Sequence, residues 1–488
     1  MIRPRLIARR SLLPGLLASL LVVGCAADEL PGSSSWEACE GSFECATLEV
    51  PVDHDAPDGS TFTLPLLRRR ASRPEARIGS LVVNPGGPWG SGVAWVAARA
   101  DLLPAAIRER FDIVGFDPRG SGASEPRVDC VDDLGPYAAL DLTPDDELER
   151  QRLLDETDAL VAGCAARIGE RLPYLGTDHV ARDLDLLREA LGDERLTYLG
   201  FSYGTLLGAV YADLFPDRVR ALVLDAAVDP TLTGEAWIAE QGRSFEAQLE
   251  DFFADCAADP ACAFHAGGDP AAAYDAIQAA VEASPLPALP AGARALGPGE
   301  LAYGVAAALY RPSAWRRLAE ALALAASGDG TGILALSDGY LERDGDGNYG
   351  NGLEVYYAVT SLDAPFAQDV TAYDALVTEL AADAPRLGVY FPYTAFPSAR
   401  WPVASWRAAQ PIAAAAAPPL LVVGTTRDPA TPYAWSISLA AQLASGVLLT
   451  REGQGHVAFL KGNDCIDDAI TTYLVESVAP PDGTTCSP

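Results

Sequence analysis

Lysine and histidine, the side chains of most basic surfaces and many metal sites, are scarce in this sequence. Among 488 residues there are one lysine, Lys461, and four histidines, while 67 acidic residues against 35 lysines and arginines give a formal net charge of −32. The acidic residues are spread over the whole chain, so its surface would repel a polyanion. We therefore expect no nucleic-acid partner, and the 49% hydrophobic fraction indicates a globular protein.

The motifs of common metal and phosphate sites are also missing. No cysteine pair has Cys-x-x-Cys spacing and no histidines lie at ligand spacing, which argues against zinc. Residues 344–348 resemble the start of a calcium loop, but Tyr349 and Val355 stand where such a loop needs glycine and glutamate. The glycine-rich segment 86–92 is not followed by the Gly-Lys-Ser/Thr of a phosphate loop. The sequence predicts no metal and no cofactor.

The N-terminus has no apolar run long enough for a comfortable membrane span. Four arginines precede the short apolar segment Ser11–Val23, which leads into Gly24 and Cys25. A basic start, a short apolar region and a small residue before cysteine resemble a bacterial lipoprotein signal. We predict a signal peptide over 1–24, lipidation of Cys25 and a tether over 25–40, so that an exported protein meets a membrane through its anchor. An ordinary secretory signal is the alternative, and both general and twin-arginine export fit.

Eight cysteines remain after Cys25, and they fall into four pairs of sequence neighbours. Proximity favours one of the 105 possible connectivities. The favoured disulfides are Cys39–Cys45, Cys130–Cys164, Cys256–Cys262 and Cys465–Cys486. Four disulfides suit an oxidising compartment and agree with export.

Short apolar runs typical of buried strands occur in two blocks separated by an alanine-rich, helical stretch. An N-terminal strand pair is predicted at 46–50 and 61–67, and buried strands at 80–84, 111–117, 195–199, 220–225, 419–424 and 447–450. We predict an α/β fold with a mostly parallel sheet flanked by helices. Its core comprises 41–229 and 411–488, and 230–410 is inserted as a helical cap.

The sequence Gly200-Phe201-Ser202-Tyr203-Gly204 lies where a strand passes into a helix. Such a turn exposes the serine hydroxyl, and glycines on both sides let strand and helix approach closely. The alternative, which the strand and helix context disfavours, is that Ser202 is a bystander in a glycine-rich turn. With a base and an acid within reach it would be a nucleophile.

The four histidines leave one candidate for the base. His54 is in an early loop, His179 in a helix where we expect it at the surface, and His265 in the insertion, whereas His456 directly follows a core strand. Asp428 lies in the matching loop one strand earlier. The order Ser202, Asp428, His456 is that of α/β-hydrolases, and the three loops should open at the same edge of the sheet.

The loop 85–92 follows a buried strand and can supply backbone N–H groups to a developing oxyanion. We expect one donor from Tyr203, which follows the serine, and a second from Gly87, with Gly86 and Trp89 as alternatives. In the next loop, Asp117 and Arg119 are expected to form a structural ion pair.

Several segments together resemble the secreted tripeptidyl aminopeptidases, α/β-hydrolases related to prolyl aminopeptidases. The matching segments are 84–88, 117–120, 183–230 with its Ser-Tyr-Gly-Thr turn, 428–432 and 455–456. The resemblance implies cleavage of short peptides, such as tripeptides, from a free N-terminus beneath a helical cap. Two departures are Trp89, where relatives carry glycine, and Ser361 with Ser398, where relatives often carry a cysteine pair.

An aminopeptidase must hold a protonated amine, usually with carboxylates. Glu354 and Asp363 are the candidates because they lie in the cap segment that resembles the family's; the alternative is that both are solvated surface acids. An esterase with the same triad and a catalytically silent binding lipoprotein are the competing functions, and the oligomeric state is left open.

Overall fold

The computed structural model describes residues 35–39, 41–289 and 294–487. The predicted signal peptide, Cys25 and most of the tether lie outside these residues. Among the helices so described, none is long and apolar enough to cross a membrane.

The architecture is organised around one mixed sheet, with a separate two-stranded ribbon formed by β8 and β9. The strands are β1 (Glu37–Ala38), β2 (Phe43–Pro51), β3 (Thr61–Arg69), β4 (Gly79–Asn84), β5 (Phe111–Phe116), β6 (Leu196–Phe201), β7 (Val219–Asp225), β8 (Leu286–Pro287), β9 (Ala295–Leu296), β10 (Leu420–Arg427), β11 (Gly446–Gln454) and β12 (Thr484–Cys486). The sheet order is β1-β2-β3-β5-β4-β6-β7-β10-β11-β12. Pairing is antiparallel from β1 to β5 and parallel for the remaining neighbours.

The central strands are continuous apolar runs because both faces of the sheet are covered. Every residue of β4, β5 and β6 is buried, as expected for parallel strands with helices on both sides. The predicted α/β architecture, a mostly parallel sheet flanked by helices, is confirmed. The short edge strands β1 and β12 have no apolar run of their own and were not predicted.

Seventeen α-helices surround the sheet in the described residues. They are α1 (Gly92–Arg99), α2 (Ala105–Arg110), α3 (Gly135–Ala138), α4 (Glu147–Ile168), α5 (Thr177–Ala190), α6 (Tyr203–Leu214), α7 (Gly234–Ala258), α8 (Pro270–Ala283), α9 (Pro298–Leu309), α10 (Trp315–Ala326), α11 (Thr331–Tyr340), α12 (Gly352–Asp363), α13 (Val370–Asp383), α14 (Phe391–Thr394), α15 (Phe396–Ala399), α16 (Tyr433–Gln442) and α17 (Asp464–Glu476).

Helices α7 to α15 lie between β7 and β10, and we call this segment, Gly234–Ala399, the helical insertion. Its apolar side chains join α5, α6 and one face of the sheet in a single large core, whereas α1, α2 and α17 cover the other face. The insertion therefore shares its core with the sheet.

The four disulfides have the pairing favoured from sequence proximity. At the two serines where relatives often carry cysteines, the buried Oγ atoms of Ser361 and Ser398 lie 2.9 Å apart in a hydrogen bond. A polar contact thus joins α12 to α15.

The expected ion pair between Asp117 and Arg119 is wrong, although both side chains are structural. Asp117 accepts hydrogen bonds from Ser91 and from the backbone of Val93 and Ala123. Arg119 is buried and paired with Asp183. Two charged residues close in sequence can each bind a different partner, and their spacing in the sequence does not show which partner each one has.

The expectation of a surface position for His179 is also wrong. Its ring stacks on that of His54 at 5.7 Å between centroids and is mostly buried. Burial, followed by the positive charge of Arg119, lowers the pKa of His179 to about 4. The helix periodicity placed His179 off the apolar face, but the loop carrying His54 covers that side.

Candidate active site

Ser202 occupies the turn between β6 and α6 in a strained backbone conformation, with φ 55° and ψ −125°. A non-glycine residue adopts a positive φ only where its surroundings impose it. The flanking glycines make the turn possible, because a Cβ on Gly200 would lie 2.4 Å from the Gly204 carbonyl oxygen and one on Gly204 would lie 2.7 Å from Asn84 Oδ1. The turn therefore has the geometry expected of a nucleophile elbow.

His456 and Asp428 meet at the carboxyl ends of neighbouring strands. His456 Nδ1 lies 2.9 and 3.0 Å from the two carboxylate oxygens of Asp428. The carboxylate also accepts the backbone N–H groups of Ala430 and Thr431, each at 2.9 Å. Asp428 is thus fully buried but satisfied, and it selects the tautomer in which His456 presents a free Nε2.

A second buried carboxylate holds the loop that carries His456. Asp225, at the end of β7, accepts the backbone N–H groups of Ala458 and Phe459 at 2.8–3.1 Å. Burial raises the pKa of Asp225 to about 6, against the lowering effect of these hydrogen bonds. The sequence shows that Asp225 lies at the end of a core strand. It does not show the role of Asp225, because Ala458 and Phe459 are 233 and 234 residues away along the chain.

The structure also shows how the insertion reaches His456. The N–H of His456 donates to the Tyr310 carbonyl oxygen at 2.9 Å, and the Tyr310 ring packs edge-on against the imidazole at 5.3 Å. Among the described residues the Ser202 hydroxyl makes no hydrogen bond to His456. Such bonds are often long in free enzymes and tighten when substrate binds.

The oxyanion loop favours Gly87 over the alternative Gly86. The Gly86 N–H is already bonded to Asn84 Oδ1 at 2.9 Å, whereas the Gly87 N–H has no acceptor among the described residues. Gly87, Ser202 and Tyr203 line the same cavity. As the first residue of α6, Tyr203 also has a backbone N–H without an intrahelical acceptor.

A family model described as the alpha/beta hydrolase fold matches residues 79–463, which is most of the chain. This chain belongs to the α/β-hydrolase family. It is 36% identical to Serine protease Hip1 of Mycobacterium tuberculosis, over 98% of each chain. It is also 36% identical to Carboxylesterase B of that organism, over 93% of this chain and 90% of the relative. To the tripeptidyl aminopeptidase of Streptomyces lividans it is 33% identical, over 93% and 86%.

The cavity above Ser202 in this hydrolase, which we call the acyl cavity, is aromatic and uncharged. No Asp, Glu, Lys or Arg is among its described lining residues. The aromatic lining consists of Trp89, Tyr203, Trp237, Phe245, Tyr303, Tyr310, Tyr340, Tyr356, Tyr357, Tyr390 and Phe391. Such a surface favours apolar groups and aromatic contacts.

Trp89 links the oxyanion loop to the insertion. Its ring makes edge contacts with Tyr340 and Tyr356. A Cβ on Gly352, the first residue of α12, would lie 2.7 Å from this ring. The departure from glycine at Trp89 is therefore matched by a residue without a side chain on the opposite wall.

Glu354 and Asp363 do not lie on the acyl cavity, and the geometry does not support the predicted role of either in holding an amine. Glu354 accepts the backbone N–H groups of Cys130 and Val131 at 2.7 and 3.1 Å. Burial raises the pKa of Glu354 to about 7. Both carboxylates are buried, so the alternative of solvated surface acids is not supported either.

Asp363 instead ties the insertion to the nucleophile turn. It accepts the N–H of Thr177 at 2.8 Å, the Thr177 hydroxyl at 2.6 Å and Trp406 Nε1 at 2.9 Å. Thr177 in turn contacts the Tyr203 hydroxyl. Thr177 is the first residue of α5, and Gly176 precedes it as a capping residue that makes no side-chain bond.

The sequence interpretation missed Thr431 and Tyr310. Thr431 Oγ1 lies 3.4 Å from His456 Nδ1, and its N–H holds Asp428. The segment Asp428–Pro432 was noted, so Thr431 could have been found from its position three residues after the acid. Tyr310 carried no such signal, because it follows the end of α9 and is 146 residues away from His456 along the chain.

Proposed function

We propose that this hydrolase is an exported serine peptidase that releases short peptides, tripeptides in particular, from free N-termini through an acyl-enzyme on Ser202. The observation that carries the proposal is the bond from His456 to the buried Asp428 at the sheet edge where the strained Ser202 turn opens. The relatives named a serine protease and a tripeptidyl aminopeptidase give the substrate class.

The residues have distinct roles in the proposed reaction. His456 Nε2 removes the proton as Ser202 Oγ attacks the carbonyl carbon, and Asp428 stabilises the resulting imidazolium. The N–H groups of Tyr203 and Gly87 bind the oxyanion. His456 then gives its proton to the leaving amine. Water next attacks the acyl-enzyme ester with His456 as the base, and His456 returns the proton to Ser202 Oγ as the peptide leaves.

The acyl cavity would hold the N-terminal residues that remain on Ser202. In the absence of a lining carboxylate, we propose that aromatic faces and the Gln241 amide oxygen receive the free amine. Gln241 donates its Nε2 hydrogen to the Ala430 carbonyl oxygen at 2.6 Å, which leaves its own oxygen as an acceptor. An apolar tripeptide therefore suits this cavity better than a charged one.

We further propose that the mature chain is lipid-anchored at Cys25 and works outside the cytoplasm. The four disulfides fit an extracytoplasmic compartment. Metabolic labelling with a fatty-acid analogue should mark the wild type and not Cys25→Ser.

The decisive experiment compares tripeptidyl anilides, their N-acetylated forms and short fatty-acyl esters, with Ser202→Ala as the inactive variant. We expect free tripeptidyl anilides to be cleaved best, N-acetylation to reduce kcat/KM, and Ser202→Ala to abolish activity. Ser284→Ala changes an exposed serine of the insertion and is the matched control. Equal cleavage of acetylated substrates would contradict an aminopeptidase.

An esterase is the second candidate, favoured by the uncharged acyl cavity and by the relative named Carboxylesterase B. Activity on esters alone would establish it. A silent binding lipoprotein would be indicated if a fluorophosphonate failed to label Ser202 in folded protein.

A further inference from the structure

A second cavity lies beside the triad, and His456 rather than Ser202 forms part of its wall. Tyr310 and Tyr340 line this cavity as well as the acyl cavity, so the two spaces are neighbours across these rings. The cavity has a volume of about 340 Å³, enough for an amino-acid residue. We call it the cationic cavity because Arg99, Arg311 and Lys461 line it.

The three cations belong to three different segments of the chain, and each segment includes or adjoins a residue of the reaction centre. Arg99 ends α1, which starts directly after the oxyanion loop. Arg311 follows Tyr310, the residue that packs on His456. Lys461 lies five residues after His456 in the loop held by Asp225. Their convergence is therefore a product of the tertiary structure.

No acidic residue balances these charges on the cavity wall. The lining contains no Asp or Glu, and within the described part of the chain none of the three cations forms an ion pair. The nearest attraction is that of buried Asp225 for Lys461. In a chain of net charge −32 that has one lysine, three unpaired cations around one cavity form a local reversal of sign.

The charges are close enough to influence one another. Partial burial lowers the pKa of Lys461, and the positive charges of Arg311, Arg99 and Arg451 lower it further, against the attraction of Asp225. An anion that enters between unpaired cations offsets their mutual repulsion and so lowers the free energy of the site. The cavity therefore has the chemistry of a carboxylate site.

The reaction determines which part of a substrate meets this cavity. When the tetrahedral intermediate collapses, the C–N bond breaks and His456 Nε2 delivers its proton to the leaving nitrogen. The leaving group must therefore lie against His456, on the side of the cationic cavity, while the acyl group stays above Ser202.

We propose that Arg99, Arg311 and Lys461 form a leaving-group subsite that binds a carboxylate one or two residues beyond the scissile bond. The inference rests on the proposed function and deepens it. The preferred substrates would be short peptides whose C-terminal carboxylate reaches the cavity, or longer peptides with Asp or Glu at that position. The acyl side selects neutral apolar residues and the leaving side selects an anion.

The test uses one neutral tripeptidyl sequence with four leaving groups: glycine, glycinamide, the α-amide of glutamic acid and p-nitroaniline. The readout is the ratio of kcat/KM for glycine to that for glycinamide, with amine release followed by mass spectrometry. We expect a ratio of about five in the wild type, the size of a favourable partly exposed ion pair. It should fall in 1 M salt. The α-amide of glutamic acid, which keeps only its side-chain carboxylate, distinguishes a side-chain carboxylate from a C-terminal one.

Arg311→Gln, Lys461→Gln and the double variant should bring this ratio towards one. Arg316→Gln is the matched control, since Arg316 is exposed on the neighbouring helix and pairs with Glu320 outside the cavity; it should keep the wild-type ratio. Thermal unfolding of each variant verifies the fold, and a ratio is independent of the fraction of active protein.

Cleavage of the anilide with equal rates on glycine and glycinamide would overturn the subsite while the proposed function stands. Retention of the wild-type ratio by the folded double variant would also overturn it. Failure of the wild type to cleave any member of the series would overturn the proposed function, and the subsite with it.

Discussion

The two sides of the candidate site are built differently. At the sheet edge, Ser202, Asp428 and His456 lie in loops directly after β6, β10 and β11, and Asp428 also accepts the backbone N–H groups of Ala430 and Thr431, which follow it closely. On the insertion side, contacts such as Trp89 with Gly352, or Glu354 with Cys130, join segments more than 200 residues apart. The three triad residues are therefore placed by the ends of strands in one sheet, whereas the walls around them depend on packing between distant segments.

A comparison of one carboxylate from each side, Asp428 and Asp363, shows what makes a buried carboxylate catalytic. Asp428 and Asp363 are both buried and hydrogen-bonded, but Asp428 contacts the imidazole and Asp363 contacts the turn of α5. Burial and charge alone do not distinguish the two; the partner does.

The largest expected effect tests that distinction. Asp428→Asn keeps the shape but presents an amide to His456 Nδ1 and favours the wrong tautomer, so we expect kcat on a tripeptidyl anilide to fall by about 10⁴-fold. Asp363→Asn, measured in parallel, should lower activity far less and mainly reduce thermal stability. Similar losses of kcat in the two folded variants would remove the distinction between the two sides.

The next effect concerns the buried Glu354. Its pKa is raised to about 7 in the folded protein from an ordinary 4.5, so the native state binds the proton more tightly than the unfolded chain does. The free energy of unfolding should therefore decrease as the pH rises from about 4.5 to about 7. Glu354→Gln keeps an acceptor for Cys130 and Val131 and should be up to about 3 kcal/mol more stable than wild type at pH 8.

Urea unfolding at pH 5 and pH 8 measures this difference. Glu379→Gln, at an exposed position of α13, is the control and should show no comparable gain at pH 8. A destabilised Glu354→Gln at pH 8 would instead mean that the carboxylate is required in its ionised form.

A double variant tests whether the long-range packing of the insertion can be replaced by a covalent bond. Ser361 and Ser398 already touch through their Oγ atoms, so Ser361→Cys with Ser398→Cys should form a disulfide between α12 and α15. We expect about 2 kcal/mol of added stability under oxidising conditions, lost on reduction. Free thiols after oxidation, measured by alkylation and mass spectrometry, would contradict the expectation.

The smallest expected effect concerns Trp89, which connects the oxyanion loop to the helical insertion. Trp89→Gly removes the ring between the oxyanion loop and α12, and we expect about a tenfold loss of kcat/KM for tripeptides with small side chains. Bulky side chains should lose less, because they can occupy the vacated space. Gly352→Ala displaces the same ring without removing it and should, in contrast, penalise bulky substrates; equal losses for all substrates in both variants would argue against a role of Trp89 in shaping the cavity.

Much of the sheet could be predicted because each strand carries its own signal. The buried strands lie within a few residues of their predicted positions. The loop positions of Ser202, Asp428 and His456 follow from the same signal, since parallel strands present their carboxyl ends at one edge.

The insertion was less predictable because its contacts depend on tertiary packing. Glu354 and Asp363 stand among apolar residues of α12, and no local pattern shows that their partners are backbone groups near residues 130 and 177. The convergence of Arg99, Arg311 and Lys461 is hidden for the same reason, because each is an isolated charge in its own segment.

The arrangement of the disulfides has an evolutionary consequence. Cys256–Cys262 closes within the helical insertion, and the other three close within the flanking segments, so none of the four crosses between them. Replacement of the insertion by that of a relative would remove only Cys256–Cys262 and would leave the other three cross-links of the recipient intact. Changes in specificity by recombination at the two junctions therefore need no new oxidative folding pathway, and the same junctions are the natural places to build chimaeras.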